Sequence, residues 1–229
     1  MRTIHRFLAI SVFAVAMAWV EAATVLDLRV LVDRLQPYQP NPLPHFGGLG
    51  QAEIIREAAT LVMLLAAGWM AGERGRTRLA YGAFAFGAWD LFYYLFLIPL
   101  TGWPKSLLDW DILFLLPVPW WGPVIAPVAV SLLMIFGGVL AILLDRREQP
   151  ACLRSWMWFL ALVGTGLVLY AFMADAINAS GLGLDRAWQV LPVNFDWSLF
   201  LVGLSLMAVP VMDMVRRYAK MLRLGGLNI

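Results

Sequence analysis

Six long apolar segments constrain the fold of this chain more than any other feature of its sequence. A helix needs about 20 predominantly apolar residues to cross a bilayer, and such segments lie at about 7–26, 52–72, 79–100, 124–144, 156–177 and 197–215. Only 14% of the residues are charged and the mean hydropathy is +0.76, so too few polar side chains exist to cover a globule in water. The sequence therefore predicts an all-α integral membrane protein with six transmembrane helices in a single polytopic domain, 1–229.

The second segment must include polar residues in order to be long enough to cross the membrane. Its apolar run, 58–72, has only 15 residues, or about 22 Å at 1.5 Å per residue. A hydrocarbon core of about 30 Å is thicker than this. We therefore expect the helix to begin near Ala52 and to draw Glu53, Arg56 and Glu57 toward the membrane.

The basic residues predict the orientation of the helices. With the N-terminus in the cytoplasm, most of the 17 Lys and Arg residues fall on the cytoplasmic side, as the positive-inside rule favours. These are Arg2, Arg6, Arg74, Arg76, Arg78, Arg146, Arg147, Arg154, Arg216, Arg217, Lys220 and Arg223. The external set is Arg29, Arg34, Arg56, Lys105 and Arg186. We expect a multi-pass protein of the cell (inner) membrane with both termini in the cytoplasm.

The first segment has a second interpretation. Residues 1–6 are basic, an apolar run follows, and Ala16-Met17-Ala18 fits a signal-peptidase site. Cleavage there would leave five spans. Because the apolar run continues to Leu26 and reaches the length of a full span, we favour a retained first helix.

Between the third and fourth segments lies a stretch rich in proline and tryptophan, Asp109–Pro123. Prolines at positions 117, 119, 123 and 127 forbid a continuous helix, and the apolar run 112–116 is too short to cross a bilayer. Irregular backbone cannot face lipid, since its polar groups would lack partners. The pattern predicts a re-entrant or interfacial segment over the external side of the bundle. A plain interfacial belt of aromatic residues is the alternative.

Asp90 is the strongest candidate for a functional residue, because it lies in the middle of the third segment with no Lys or Arg within ten residues. Charge inside a membrane is costly, so this carboxyl group must be protonated or face a partner on another helix. Tyr94 follows four residues later on the same helix face and is expected to share a hydrogen bond with it. The alternative is a neutral Asp90 that only links two helices.

Other acidic residues are expected near Asp90 on the external side. The first two helices are antiparallel neighbours, which brings Glu21 and Glu57 to a similar depth. With Asp90 they predict an outward-facing pocket of carboxyl and aromatic groups, and Asp109 and Asp111 are expected to close it from above. An acidic external funnel of this kind concentrates cations.

The same region contains weak candidates for metal ligands. Glu53 and Glu57 are four residues apart and therefore point the same way from a helix, and His45 lies in the preceding loop. The spacing selects no particular metal. An acidic first turn that the helix dipole favours is the alternative.

Residue types exclude several cofactor and partner classes. His5 and His45 are the two histidines and both lie outside the apolar segments, so no haem held between helices is expected. Lys105 and Lys220 lie outside the spans or at their ends, which excludes a retinal Schiff base in mid-helix. The single cysteine, Cys152, forbids an intramolecular disulfide. A net charge of +2 without a basic tract gives no sign of nucleic-acid binding.

Three functions remain open. The first is binding or transport of a small cationic ligand, a metal ion or protons in the outward-facing pocket. The second is an accessory or assembly subunit of a larger membrane complex, such as a respiratory one, with another membrane protein as its partner. The third is a membrane enzyme that acts on a lipid or isoprenoid, with Glu57 and Asp90 as acid and base. Nothing in the spacing requires catalysis, so we favour the first.

Overall fold

The computed structural model describes residues 3–40, 48–146, 154–181 and 184–225. Within these ranges it contains seven helices and one two-stranded sheet. In chain order the elements are α1 Thr3–Leu31, α2 Gly48–Ala71, α3 Gly75–Thr101, β1 Trp110–Ile112, β2 Trp121–Pro123, α4 Ile125–Arg146, α5 Ser155–Ser180, α6 Leu184–Gln189 and α7 Trp197–Gly225.

Six of these helices, all except the short α6, are long and apolar enough to span a membrane. This confirms the prediction of an all-α, multi-pass membrane protein with six spans. The main differences are at helix ends, where α1 runs to Leu31 and α7 runs to Gly225. Apolar windows stop at the first polar residues, whereas a helix can continue into the polar interface. The extension of α1 places Arg29 on a helix and not in a loop.

The central helix is α3, which packs against α1, α2 and α4. Its contact with α2 requires glycine, because a Cβ atom on Gly68 would lie 2.5 Å from the backbone nitrogen of Gly82. Small residues allow membrane helices to approach closely in this way. A second pair is formed by α5 and α7, where a Cβ atom on Gly164 would lie 2.5 Å from the carbonyl oxygen of Gly203. Since α4 packs on both α3 and α7, it joins the two groups of helices.

The stretch between α3 and α4 folds as a β-hairpin. Its strands β1 and β2 pair antiparallel, with Asp111 opposite Gly122. The backbone N–H of Leu113 continues the ladder by donating to the carbonyl of Trp120 at 2.9 Å. The side chain of Phe114 is buried and packs against a tryptophan of α3. The segment is therefore a hairpin packed on the bundle and not a further helical span; we call this end of the bundle the hairpin end.

Candidate functional site

A polar cavity lies at the hairpin end, between α1, α2, α3 and the hairpin. The centres of water molecules can reach about 100 Å³ inside it, which is room for several waters. Four carboxyl groups line it, those of Glu21, Glu53, Glu57 and Asp111. Three arginines, Arg29, Arg34 and Arg56, line it as well. We refer to this space as the polar cavity.

The first group of charges joins α1 to α2. Arg56 donates to both carboxylate oxygens of Glu53, at 2.8 Å from Nε and 2.5 Å from Nη2, and its Nη1 donates to Glu21. The hydroxyl of Thr60 donates to the second oxygen of Glu21 at 3.3 Å. Each oxygen of the two acids thus accepts a hydrogen bond. A buried ionic network is stable only when it is satisfied in this way.

The second group joins the hairpin to α1 and α3. Arg29 donates through Nη2 to Oδ1 of Asp111 at 3.2 Å, and the hydroxyl of Tyr94 donates to Oδ2 at 3.0 Å. The Arg29 guanidinium also lies over the ring of Trp103, 4.4 Å from its centroid, which is a cation–π contact. One buried carboxylate of β1 therefore fixes the hairpin to two helices.

Asp111 is only 1% exposed. Burial raises the pKa of Asp111 to about 6, although Arg29 and the Tyr94 hydroxyl both favour its charged form. The carboxyl group therefore titrates just below neutral pH. Mild acidification therefore protonates Asp111 and removes the negative charge that faces Arg29.

Glu57 differs from the other carboxyl groups of the polar cavity. It is 5% exposed, and its two oxygens accept from a single donor, the backbone N–H of Leu115, at 3.0 and 2.8 Å. Glu21, Glu53 and Asp111 each form an ion pair with an arginine. Within the described ranges Glu57 forms none. It is the carboxyl group of the polar cavity that has no cationic partner in that part of the chain.

Asp90 lies in a different environment from these residues. It is buried on α3, and its Oδ2 accepts a hydrogen bond from the hydroxyl of Ser131 on α4 at 2.8 Å. Gly87, one turn earlier on α3, sets this contact, because a Cβ atom there would lie 2.5 Å from the carbonyl oxygen of Ser131. The close approach of the two helices brings the serine hydroxyl against Asp90. This carboxyl group lines a second, largely apolar cavity.

The structure brings four of the predicted site residues around one cavity: Glu21, Glu53, Glu57 and Asp111. Asp90 does not line that cavity. Tyr94 reaches the site through Asp111 and does not form the expected hydrogen bond with Asp90. Asp111 is a stronger acceptor for the Tyr94 hydroxyl than Asp90, because Asp111 is paired with an arginine. Hydrogen bonds to charged groups are about twice as strong as neutral ones.

Asp109 also lies outside the polar cavity. Its Oδ2 accepts from the backbone N–H groups of Lys105 and Ser106, at 2.7 and 3.1 Å. This is the local turn that aspartate commonly forms with the backbone near it. Asp109 therefore shapes the approach to β1, whereas Asp111 closes the cavity.

The candidate metal ligands do not come together in the described residues. No group of three or more His, Cys, Asp or Glu side chains able to hold a metal ion occurs there. Glu53 is bound by Arg56 and Glu57 by the backbone of the hairpin. His45 lies outside the described residues.

Sequence reasoning did not assign Arg29, Arg56 or Ser131 to a site, although each donates to a carboxyl group there. The three-residue spacing of Glu53 and Arg56 is a signal for a helical ion pair and could have identified Arg56. No comparable signal exists for the other two. Arg29 is 82 positions from its partner in the hairpin, and Ser131 is 41 positions from its partner on α3.

The polar cavity combines a satisfied ion cluster, a hairpin fixed by Asp111 and one carboxyl group, Glu57, without an arginine. Carboxylates of this kind attract small positively charged groups. Comparisons with protein-family models, with curated proteins and with solved structures find no match for this chain.

Proposed function

We propose that this chain is a multi-pass protein of the cell (inner) membrane that binds or transports a small monovalent cation in the polar cavity. Glu57 is the observation that carries the proposal, because it is buried in this cavity without a cationic partner among the described residues. An isolated carboxylate is expensive to bury in a membrane. Glu57 therefore holds either a proton or a cation that enters the cavity.

The charge balance supports a monovalent ligand. Four carboxyl groups and three guanidinium groups line the polar cavity, so its charge is −1 when all seven are ionised. One positive charge neutralises it. The available volume of about 100 Å³ corresponds to a few water-sized groups. That size favours sodium, ammonium or methylammonium over a large organic cation.

The hairpin supports access from one side of the membrane. We infer that it is a re-entrant or interfacial cap on the external side, in the orientation that the basic residues favour. Ile112, Leu113 and Leu115 line the polar cavity from the hairpin. Asp111 and the backbone N–H of Leu115 tie it to the helices. A cation from outside reaches Glu57 past this cap.

The arrangement favours binding over catalysis. A lipid-modifying enzyme that used Glu57 and Asp90 as acid and base would need both groups on one substrate. The two residues line different cavities, and Leu113 of the hairpin contributes to the wall of each.

Cation-dependent stabilisation of the purified protein in detergent tests the proposal. We expect sodium or methylammonium chloride to raise the unfolding temperature above that in N-methylglucamine chloride of the same ionic strength, because a ligand of the folded state stabilises it. Glu57→Gln should abolish this difference, since the amide oxygen still accepts from Leu115 but carries no charge. Glu73→Gln is the matched control, because Glu73 is 74% exposed and pairs with Arg6.

A second readout uses weakly buffered protein and a pH-indicator dye. A cation that replaces the proton on Glu57 releases that proton, so the wild-type signal should disappear in Glu57→Gln. Undiminished stabilisation of Glu57→Gln contradicts the proposal. Equal stabilisation by N-methylglucamine contradicts it as well, because that cation exceeds the cavity.

A further inference from the structure

A second cavity lies between α3, α4, α5 and α7, with the hairpin as its roof. About 290 Å³ is accessible in it to the centres of water molecules. Its walls are mainly apolar, and they include Phe86, Val130, Val168 and Phe172. We call this space the apolar cleft. It is distinct from the polar cavity, and Glu57 does not line it.

The arrangement of the helices opens the apolar cleft sideways. On one flank α4 packs against α3, on the other α5 packs against α7, and α4 and α7 close the floor. No packing contact joins α3 to α5 within the described ranges. A gap therefore runs between these two helices. Such a gap would let membrane lipid reach the cleft without crossing water.

The polar end of the apolar cleft lies beneath the hairpin. Oδ2 of Asp90 accepts from Ser131 at 2.8 Å, and no hydrogen bond reaches its Oδ1 from the described residues. Trp120 lines the same cleft, and its buried indole N–H has no acceptor in the described part of the chain. A buried donor without a partner, together with a carboxyl oxygen to which no described residue donates, favours an occupant that engages both groups.

A hydroxyl group has the chemistry that these two positions require. It donates to a carboxylate and at the same time accepts from an N–H. An ammonium group only donates, and a ketone or quinone oxygen only accepts. A hydroxyl group fits both states of Asp90, since it donates to the carboxylate and accepts from the protonated carboxyl, whereas a carbonyl oxygen fits only the protonated state.

The rest of the occupant must be apolar and long. The cleft continues into a further space of about 450 Å³ on the side away from the hairpin, and Met134, Thr165 and Met207 line both spaces. The wall contributed by α4 runs from Pro127 to Ala141, a length of about 21 Å at 1.5 Å per residue. This groove matches an aliphatic or isoprenoid chain better than a compact molecule.

We propose that the apolar cleft binds a long-chain alcohol from the membrane, with its hydroxyl group at Asp90 and its chain along α4. The gap between α3 and α5 is the entrance. Leu79 and Trp158 stand on the two flanks of the further space and are 56% and 45% exposed, so both are in contact with lipid when the chain enters.

Photocrosslinking in phosphatidylcholine vesicles tests this site. The probe is hexadecanol with a diazirine in mid-chain, and the comparison is a hexadecane that carries the same diazirine. We expect the alcohol to label Met134, Thr165 and Met207, and Asp90→Leu to lower this labelling at least tenfold. The hexadecane should label lipid-facing residues generally and should not respond to Asp90→Leu.

A second variant keeps the test independent of the folding of Asp90→Leu. Thr165→Phe fills the passage shared by the two spaces and should block labelling beyond it. Leu162→Phe is the control: Leu162 lies on the same helix and is 69% exposed, so this variant should leave labelling unchanged. Alcohol labelling that persists in Asp90→Leu overturns the proposal. So does alcohol labelling with the same distribution as hexadecane, which would show ordinary contact with bulk lipid.

Discussion

Replacement of Arg56 by methionine tests the ion cluster that joins α1 to α2. In the folded protein Arg56 donates to Glu21 and to both oxygens of Glu53. Methionine occupies a similar volume and has no charge. The variant therefore leaves two carboxyl groups, each with a side chain only 10% exposed, close together without a counter-ion.

The size of the effect follows from burial. Removal of one partner from a buried ion pair costs about 3–5 kcal/mol, because the other charge remains unpaired in a medium of low dielectric constant. The Arg56 side chain is 23% exposed, so water offsets part of the loss. We therefore expect Arg56→Met to lower the free energy of unfolding by about 3 kcal/mol, near the bottom of that range.

The measurement is SDS-induced unfolding in mixed micelles, followed by circular dichroism. The triple variant that adds Glu21→Gln and Glu53→Gln should recover at least half of the loss, since it removes the unpaired charges. Arg74→Met is the control: Arg74 is 64% exposed and shares Asp145 with Arg76, so we expect a loss of less than about 1 kcal/mol. A single variant as stable as wild type, or a triple variant no more stable than the single one, would refute the reasoning.

Three further outcomes follow from the same structure. Because burial raises the pKa of Asp111 to about 6 from its ordinary 3.8, the folded state binds this proton more tightly. The contribution of Asp111 to stability is therefore complete below about pH 4 and falls by about 3 kcal/mol as the pH rises through 6. The difference in unfolding free energy between wild type and Asp111→Asn should change with pH in the same way. A difference that stays constant with pH would disprove this. Tyr94→Phe leaves one oxygen of Asp111 without its donor and should cost about 1–3 kcal/mol in the same assay; no change would mean that the hydroxyl contact is unimportant. Gly164→Ala should destabilise the protein by about 1–3 kcal/mol, because the new Cβ would lie 2.5 Å from the carbonyl oxygen of Gly203, whereas Gly166→Ala, with open space around it, should not; equal stability of the two variants would contradict the packing.

The sequence predicts those parts of the fold that depend on the average hydropathy of a segment. Hydropathy over about 20 residues identifies the segments that cross a membrane, and all six appear as helices. Hydropathy does not locate the ends of helices, because a helix extends into the interface where polar residues are tolerated. The end of α1 shows the consequence: Arg29 falls outside the apolar segment 7–26, yet it lies on the last turn of the helix and binds Asp111.

The sequence predicts how deep in the membrane each residue of the candidate site lies, but not toward which neighbouring helix its side chain points. Antiparallel neighbours bring residues of equal distance from the membrane surface to one level, which is why Glu21 and Glu57 line the same cavity. The rotation of each helix about its axis depends on side-chain packing that one sequence does not reveal. For α3 that packing is the contact of Gly87 with Ser131, which turns Asp90 toward α4 and away from the polar cavity.

A purely structural role explains most of the buried charge at the hairpin end, but it does not explain Glu57. The two arginine networks leave each oxygen of Glu21, Glu53 and Asp111 with a hydrogen-bond donor, and such networks serve to fix helices and the hairpin. Glu57 shares one N–H, that of Leu115, between two oxygens. If the fold needed only an acceptor for that N–H, a neutral glutamine would supply it without the cost of burying a charge. Under the proposed function, a carboxyl group is placed here because it exchanges a proton for a cation. Cation-dependent stabilisation that survives in Glu57→Gln would return the residue to a structural role.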